Sequence, residues 1–430
     1  MNKILFQAFY SSSGVCTDTR AIREDCLFIC IKGERFDGNT FAMSALEKGA
    51  KHVVLDNPAY FVDNGRMTLV ENSVHYLQAL ANYHRKRFSI PVIGITGSNG
   101  KTTSKELINA VLSKKYKVLA TEGNLNNHLG VPFTLLNLNE QHEIALIEMG
   151  ANHYKDIAEL CAIAEPNIAI ITNIGKAHLE GFKSFDGVLK TKKELYDWIE
   201  KEGGQVIYNA DDEILQGILP AKNSALSYGG GKDAQVQGKV IRNSPFVEMS
   251  WSFGSYSSPT LTTHLVGTYN FYNFLAAAAF GVAFDVPADD ISAAICEYVP
   301  TNNRSQVKQT TSNTLILDCY NANPTSMRSA LDSFATSEHA HKLFILGDMK
   351  ELGEEAVLEH LNVIRQVEKL GLIGYTVGDE FTKLESPAVL KSFTTTKEMQ
   401  HFLEESPLKN HLILLKGSRS IGLESLENML

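Results

Sequence analysis

Residues Gly94 to Thr103 read Gly-Ile-Thr-Gly-Ser-Asn-Gly-Lys-Thr-Thr, after the apolar run Pro91-Val92-Ile93 and before the amphipathic stretch Lys105 to Leu112. A strand, a tight glycine turn and a helix N-terminus in that order aim backbone N–H groups and a helix dipole at one point. The working loop is Gly97-Ser98-Asn99-Gly100-Lys101-Thr102-Thr103, in which Lys101 adds a full positive charge and Thr102 a hydroxyl for Mg²⁺. Such a loop binds a nucleotide triphosphate. Its spacing is unusual, because Ile95 stands where G-x-x-x-x-G-K needs its first Gly.

Two further polar residues fall at or just after apolar, strand-like runs. Glu148 ends Ile144-Ala145-Leu146-Ile147, and His178 follows Ile168 to Ile174. Ligands of open parallel sheets bind at the carboxyl ends of strands, and a carboxylate and an imidazole beside a triphosphate suit Mg²⁺. Between Ser184 and Glu200, helical geometry puts Val188, Lys192, Leu195 and Ile199 on one face, while Lys190 and Lys193 point toward Asp197 and Glu200. Burial lowers the pKa of an amine. Lys192 therefore has two readings: a snorkelling side chain at the stripe edge, or a neutral amine that adds carbon dioxide and becomes an anionic metal ligand. Asn270 and Asn273 lie on one face ahead of an Ala-rich helix, to read an adenine edge or an anion's surroundings, or, for Asn270, to cap the helix. Asp318 at a strand end could accept from ribose hydroxyls, and Asn323 before Pro324 is a good helix cap.

The elements that must hold these groups follow from periodicity. Residues 1–88 hold the apolar runs Leu27 to Ile31 and His52 to Leu55 around a helical stretch from Phe41 to Lys48, a small α/β domain closed by a linker at Arg85-Lys86-Arg87. Residues 89–302 alternate apolar runs (92–95, 117–120, 144–149, 168–174, 205–208) with helical patterns (103–114, 153–164, 184–202), which implies a mostly parallel sheet. Short antiparallel strands are expected between 228 and 266, then helices from Asn270 to Phe284 and from Ala288 to Tyr298. Residues 303–430 carry strand-like runs at 315–317, 343–346, 372–377 and 412–415 with helical patterns between them, a Rossmann-like sheet without G-x-G-x-x-G.

Composition narrows the class. A chain of 430 residues with 44% apolar content makes several cores, and a net charge of -9 argues against a nucleic-acid binder. The six cysteines show no metal-type spacing and read as reduced cytosolic thiols. No stretch reaches the roughly 18 apolar residues of a membrane span, so a cytoplasmic location is expected. A nucleotide-dependent regulatory switch is disfavoured because no N-K-x-D guanine-reading motif is present.

Together these motifs resemble the Mur ligase family, ATP-dependent amide-forming enzymes of peptidoglycan precursor synthesis, over essentially the whole chain. The resemblance rests on Thr96 to Thr103, Thr121 to Asn127, Glu148-Met149-Gly150, Ala177 to Phe182, and Lys192 at the position of the family's carbamylated lysine. It implies three α/β domains: an N-terminal UDP-binding domain, a central ATPase domain and a C-terminal Rossmann-like ligase domain. By the same resemblance Asn273, Arg304 and Asp318 contact adenosine or phosphate, and Lys101, Glu148, His178 and carbamylated Lys192 are catalytic, the last three with Thr102 holding Mg²⁺. Asp18, Thr19, Arg20, Asp37 and Gly38 look like the UDP segment, and Asn126, Asn127, Asn321 and Asn323 like further substrate contacts. Within the family, residues 318–327, 346–353 and 416–420 resemble the branch that adds D-Ala-D-Ala to UDP-MurNAc-tripeptide, acting as a monomer through an acyl phosphate; another Mur-type ligase or a folylpolyglutamate synthase is the alternative. Asn39 stands where the family usually has His, and Asn303 where Gly usually precedes the Arg.

Overall fold

A computed structural model describes residues 6–34, 36–221 and 223–430. The chain packs as two compact units, one taking in residues up to Gly94, Lys117–Gly150 and Asp156–Asn167, the other Ile95–Tyr116, Ala151–Lys155 and Ile168–Leu430.

In the first unit the strands Val15–Cys16, Leu27–Ile29, His52–Leu55 and Met67–Leu69 pair side by side, all parallel. Phe28, Val53 and Leu55 bury against Ala42, Ala45 and Leu46 of the helix Ala42–Glu47. Small alanines on that helix let it lie close to the sheet. A helix absent from the sequence reading, Ser73–Arg85, starts at Asn72, whose Oδ1 accepts from His75 N at 2.8 Å. It packs on Gly130–Leu135 and Asp156–Ala164, burying Tyr76, Leu77, Leu80 and Ala81. Arg85-Lys86-Arg87, expected as a linker, is instead the end of this helix and the turn after it. Arg85 Nε donates to Ala164 O and Nη1 to Phe88 O, each at 3.0 Å. The same unit pairs Val118–Ala120 with Ile144–Glu148 in parallel. Its strand Val92–Thr96 runs across the boundary between the units, so the phosphate loop that follows belongs to the second.

The second unit continues with Ile168–Ile171, Gln205–Asn209, Ser224–Gly229 and Val236–Arg242, each parallel to the one before. Glu248–Phe253 then runs antiparallel to Val236–Arg242. The antiparallel character expected for 228–266 therefore begins with that hairpin. The helix Phe271–Ala283 packs on Lys101–Leu112, and its buried Ala276 to Ala279 let the two backbones approach. A Cβ at Gly281 would meet Ile291 at 2.6 Å and Val111 at 2.8 Å.

The C-terminal sheet has the order Gln306–Gln309, Thr314–Leu317, Leu412–Lys416, Lys342–Gly347, Gly374–Val377, Val389–Phe393. Only the first pair is antiparallel. Leu315, Leu317, Ile345, Ile413 and Leu415 pack with Met399, Leu403, Leu423 and Leu426 on one face. The four apolar runs read from the sequence are the four interior strands; the two edge strands were not anticipated. Asp318, Asp348, Gly378 and Gly417 each follow a strand and so gather at the carboxyl edge of this sheet. Among the described residues, no helix is long and apolar enough to cross a membrane.

Candidate active site

Gly100 caps the helix Lys101–Leu112 with φ +78, a left-handed conformation natural to glycine. Gly97, at φ +145, sits so close to the next strand end that a Cβ would meet Thr172 Oγ1 at 2.0 Å. The loop is gripped by the residues after Ile168–Ile171. Thr172 Oγ1 donates to Asn99 O at 2.5 Å, Asn173 Nδ2 donates to the same oxygen at 2.9 Å, and Asn173 Oδ1 accepts from Asn99 N at 3.0 Å. Ser98 Oγ donates to Gly175 O at 3.0 Å and accepts from Gly175 N at 2.9 Å. Lys101 Nζ donates to Gly97 O at 2.7 Å, so the ammonium lies along the loop, while Thr102 and Thr103 are buried in the first helical turn.

Asn273 supports this loop from below. Ser104 Oγ donates to its Oδ1 at 2.9 Å, and a Cβ on Gly100 would meet that oxygen at 2.7 Å. Asn273 Nδ2 donates to Asn270 Oδ1 at 2.8 Å, and Asn270 Nδ2 donates to Val266 O at 2.7 Å. Of the two readings for Asn270, side-chain capping is therefore set aside; it is a buried relay.

In the first unit Glu148 is buried at the end of its strand, its Oε1 accepting from Asn126 Nδ2 at 2.8 Å. Asn127 Oδ1 accepts from Gly130 N at 2.8 Å and shapes the local turn. In the second unit Lys192 is 1% exposed, lined up with buried Val188, Leu195 and Ile199, its Nζ 5.8 Å from the centre of the Phe182 ring. Full burial removes the snorkelling reading. Lys193 reaches Asp197 as expected, but Lys190 turns back one helical turn to Asp186 at 2.7 Å. A carboxylate that precedes a cation by four residues is the better-oriented partner on a helix.

His178 takes a left-handed conformation, φ +51, ahead of Leu179–Phe182, and its Nδ1 lies 2.5 Å from Glu351 Oε2. The imidazole beside it holds the Glu351 carboxyl below its ordinary range. Lys176 Nζ meets Glu359 at 2.6 Å and Glu355 at 3.2 Å, and Lys176 N donates to Thr325 Oγ1 at 3.2 Å. Gly175 lies so near that a Cβ would meet Thr325 Oγ1 at 2.8 Å.

At the C-terminal sheet edge, Lys416 Nζ pairs with Asp318 Oδ2 at 2.6 Å, and Ser305 N donates to Asp318 Oδ1 at 3.1 Å. Arg304 stacks 3.7 Å from the Tyr320 ring centre, and Arg419 lies over the same ring at 5.0 Å. Asn323 caps Pro324–Ala335 through Ser326 N at 2.9 Å, as its sequence position implied, and its Nδ2 also donates to Asn99 Oδ1 of the phosphate loop at 2.7 Å. Asn321 Oδ1 accepts from Ala322 N at 2.9 Å.

The N-terminal candidates form separate clusters. Arg20 holds the exposed Asp18 carboxyl down to about 2 through paired hydrogen bonds, and Thr19 O accepts from Lys48 Nζ at 3.2 Å. Asp37 Oδ1 accepts from Asn39 N at 2.9 Å, while a Cβ on Gly38 would meet Ile31 O at 2.4 Å. Asn39, where a His was expected, is buried with its amide bridging Asp37 at 2.7 Å and Asp56 at 2.9 Å.

No role had been read from the sequence for Thr172, Asn173, Lys176, Tyr320, Glu351 or Lys416. The one available signal was the polar pair Thr172-Asn173 interrupting an apolar run at a strand end. Among the described residues no cluster of three His, Cys, Asp or Glu forms a ready-made metal cage. Within the second unit, a threonine hydroxyl and an imidazole are of the donor types that suit Mg²⁺, and the loop at Gly97 to Thr103 has the form of an anion cradle.

Comparison with known proteins assigns the class. The family model "Mur ligase family, catalytic domain" matches residues 11–86, "Mur ligase middle domain" 95–281 and "Mur ligase, glutamate ligase domain" 303–419. The chain belongs to the Mur ligase family. A Bacillus subtilis protein named UDP-N-acetylmuramoyl-tripeptide--D-alanyl-D-alanine ligase is 34% identical over 96% of this chain and 92% of its own. Its Escherichia coli namesake is 32% identical over 99% and 95%. Among solved structures, MurF from Acinetobacter baumannii superposes with a TM-score of 0.88 at 30% identity, covering 99% of this chain and 97% of that one. MurF from Thermotoga maritima in complex with ADP gives 0.88 at 26% identity, covering 100% and 98%. The three-domain α/β fold with mostly parallel sheets is common to these structures and to this chain.

Proposed function

We propose that this protein joins D-alanyl-D-alanine to UDP-MurNAc-tripeptide with cleavage of ATP to ADP and phosphate, giving UDP-MurNAc-pentapeptide for peptidoglycan. Lys101 and the loop amides hold the triphosphate so that the tripeptide's terminal carboxylate attacks the γ-phosphorus in line. ADP leaves and an acyl phosphate forms. The free amine of D-Ala-D-Ala adds to its carbonyl carbon, and the tetrahedral intermediate expels phosphate as the amide closes. Thr102, Glu148, His178 and a carbamate on Lys192 would hold Mg²⁺, which would supply positive charge against the clustered negative charge. Residues 1–88 bind the UDP-peptide, 89–302 ATP, and 303–430 contribute Arg304, Asp318 and Asn323 to nucleotide and dipeptide. The protein acts as a cytoplasmic monomer.

The observation that carries this reading is the hydrogen bond from Asn323 to Asn99. It ties the loop that would hold ATP to the C-terminal region that would hold the dipeptide, which supports a reaction needing both. The test is phosphate release together with product mass. Purified protein with Mg²⁺ and bicarbonate releases phosphate only when both UDP-MurNAc-tripeptide and D-Ala-D-Ala are present, and the pentapeptide appears. Turnover with a single amino acid in place of the dipeptide would point to another Mur-type ligase. No amide product at all would sink the assignment.

A further inference from the structure

His178 and Glu351 come from opposite sides of a junction within the second unit. His178 follows the strand Ile168–Ile171 of the central region; Glu351 follows the strand Lys342–Gly347 of the C-terminal sheet. Each is a non-glycine residue in the left-handed backbone region, at φ +51 and φ +64. A side chain in that region costs energy that the surroundings must offset, and such residues gather where geometry matters for function. Here they meet each other, Nδ1 to Oε2, at 2.5 Å.

The partner loop is fixed from behind. Asp348 is fully buried and accepts from Glu380 N at 3.1 Å and Phe381 N at 3.2 Å. His360 Nε2 accepts from Met349 N at 3.0 Å, and Lys350 N donates to Ser418 Oγ at 2.9 Å. Glu351 O then accepts from Glu180 N at 3.1 Å, so backbone as well as side chain engages the segment around His178. Gly353 packs within 3.6 Å of Glu180 Cα when given a Cβ. Lys176, two residues before His178, adds its pairs to Glu355 and Glu359.

An imidazole that binds a metal through one nitrogen ordinarily gives its other N–H to a carboxylate, which sets the tautomer and the ring plane. We propose that Glu351 is a positioning residue of this kind: delivered by the C-terminal region, its carboxylate lies against His178 Nδ1 and fixes the imidazole ring, leaving Nε2 as the nitrogen that would serve a divalent cation. Cation affinity at the nucleotide site then depends on the C-terminal region being docked. This rests on His178 being a metal ligand, as assigned above.

The test is Mn²⁺ binding to the full chain with a non-hydrolysable ATP analogue, read by the electron paramagnetic resonance of free Mn²⁺, for wild type and the variants E351A, E351D, H178A and K176M. We expect E351A to weaken Mn²⁺ binding by about 10- to 100-fold and E351D to recover part of it. H178A weakens it at least as much, and K176M, which breaks the neighbouring ion pairs but leaves Glu351 on His178, stays near wild type. Wild-type affinity in E351A with weakened binding in H178A overturns the positioning role and leaves His178 a ligand. Wild-type affinity in H178A overturns the ligand assignment and the proposal with it. Equal weakening in E351A and K176M means that Glu351 acts only by docking, which also overturns it.

Discussion

Two loops of this protein follow interior strands of parallel sheets, lead into helices, and are fixed by different sets of side chains. The loop after Val92–Thr96 uses Gly97 and Gly100 at positive φ, which favours glycine, is gripped mainly through Asn99 and Ser98, and leads into a helix N-terminus bearing Lys101. The loop after Lys342–Gly347 has buried polar side chains as partners: Asp348 takes the amides of Glu380 and Phe381, and His360 that of Met349. In the first loop, too, an amide is taken by a side chain, that of Asn99 by Asn173 Oδ1; the difference is that the first loop opens directly into the N-terminus of a 12-residue helix, a place that favours an anion. The first loop has the form of an anion site; the second carries Glu351 into contact with His178.

The largest effect should come from removing the charge of the first loop. Lys101→Ala is expected to lower kcat by about 10³-fold, with a thermal midpoint close to wild type; an equal loss of stability would mean that the two loops do not divide their roles. Lys192→Ala should lower kcat by roughly 10² to 10³-fold, while Lys190→Ala, which breaks only the exposed ion pair to Asp186, leaves turnover unchanged. Labelled bicarbonate should give a carbamate carbon signal in wild type that Lys192→Ala lacks.

The second loop should fail differently. Asp348→Asn leaves buried amides poorly matched and is expected to lower the unfolding free energy in urea by about 1–3 kcal/mol, with nucleotide affinity nearly retained. A smaller effect is expected with pH. Burial holds His52, His84, His360 and His411 below the ordinary 6.5. The unfolded chain therefore takes up protons first as the pH falls. Stability is full above about 6.5 and is lost progressively as the pH drops from there through the lower folded values. His360→Gln should flatten part of that slope in thermal melts between pH 7.5 and 5; an unchanged slope would show that His360 titrates alike in the folded and unfolded chain.

What was legible in the sequence tracks the range of the interaction. The phosphate loop is a local pattern of strand, glycines and lysine, and the burial of Lys192 follows from helical periodicity among Val188, Leu195 and Ile199. Both were readable because they depend on neighbours within a few residues. The clamp from Thr172 and Asn173 depends on which strand lies beside Val92–Thr96, some 74 positions away in the chain, and no periodicity encodes that choice. The Glu351–His178 pair was hidden for the same reason. The edge strand Gln306–Gln309 escaped notice because an edge needs no continuous apolar run, and Ser73–Arg85 because its apolar residues are spread among His, Gln and Asn. Lys190 was assigned to the wrong carboxylates, since one-turn pairing works in both directions and only the rotamer decides. Asn39 shows the converse: a departure from the family pattern whose consequence, a neutral amide between two carboxylates, could be seen only once Asp56 was placed beside it.

Gly175 carries a consequence for handling this enzyme. Its backbone is ordinary, so an alanine there meets no conformational penalty; the obstacle is Thr325, 2.8 Å from the added carbon. One methyl group is thus a spacer between the phosphate-loop region and the C-terminal helix Pro324–Ala335. Gly175→Ala would press its methyl on Thr325, so that one of the two must shift, and pairing it with Thr325→Gly takes that obstacle away and should restore the fit.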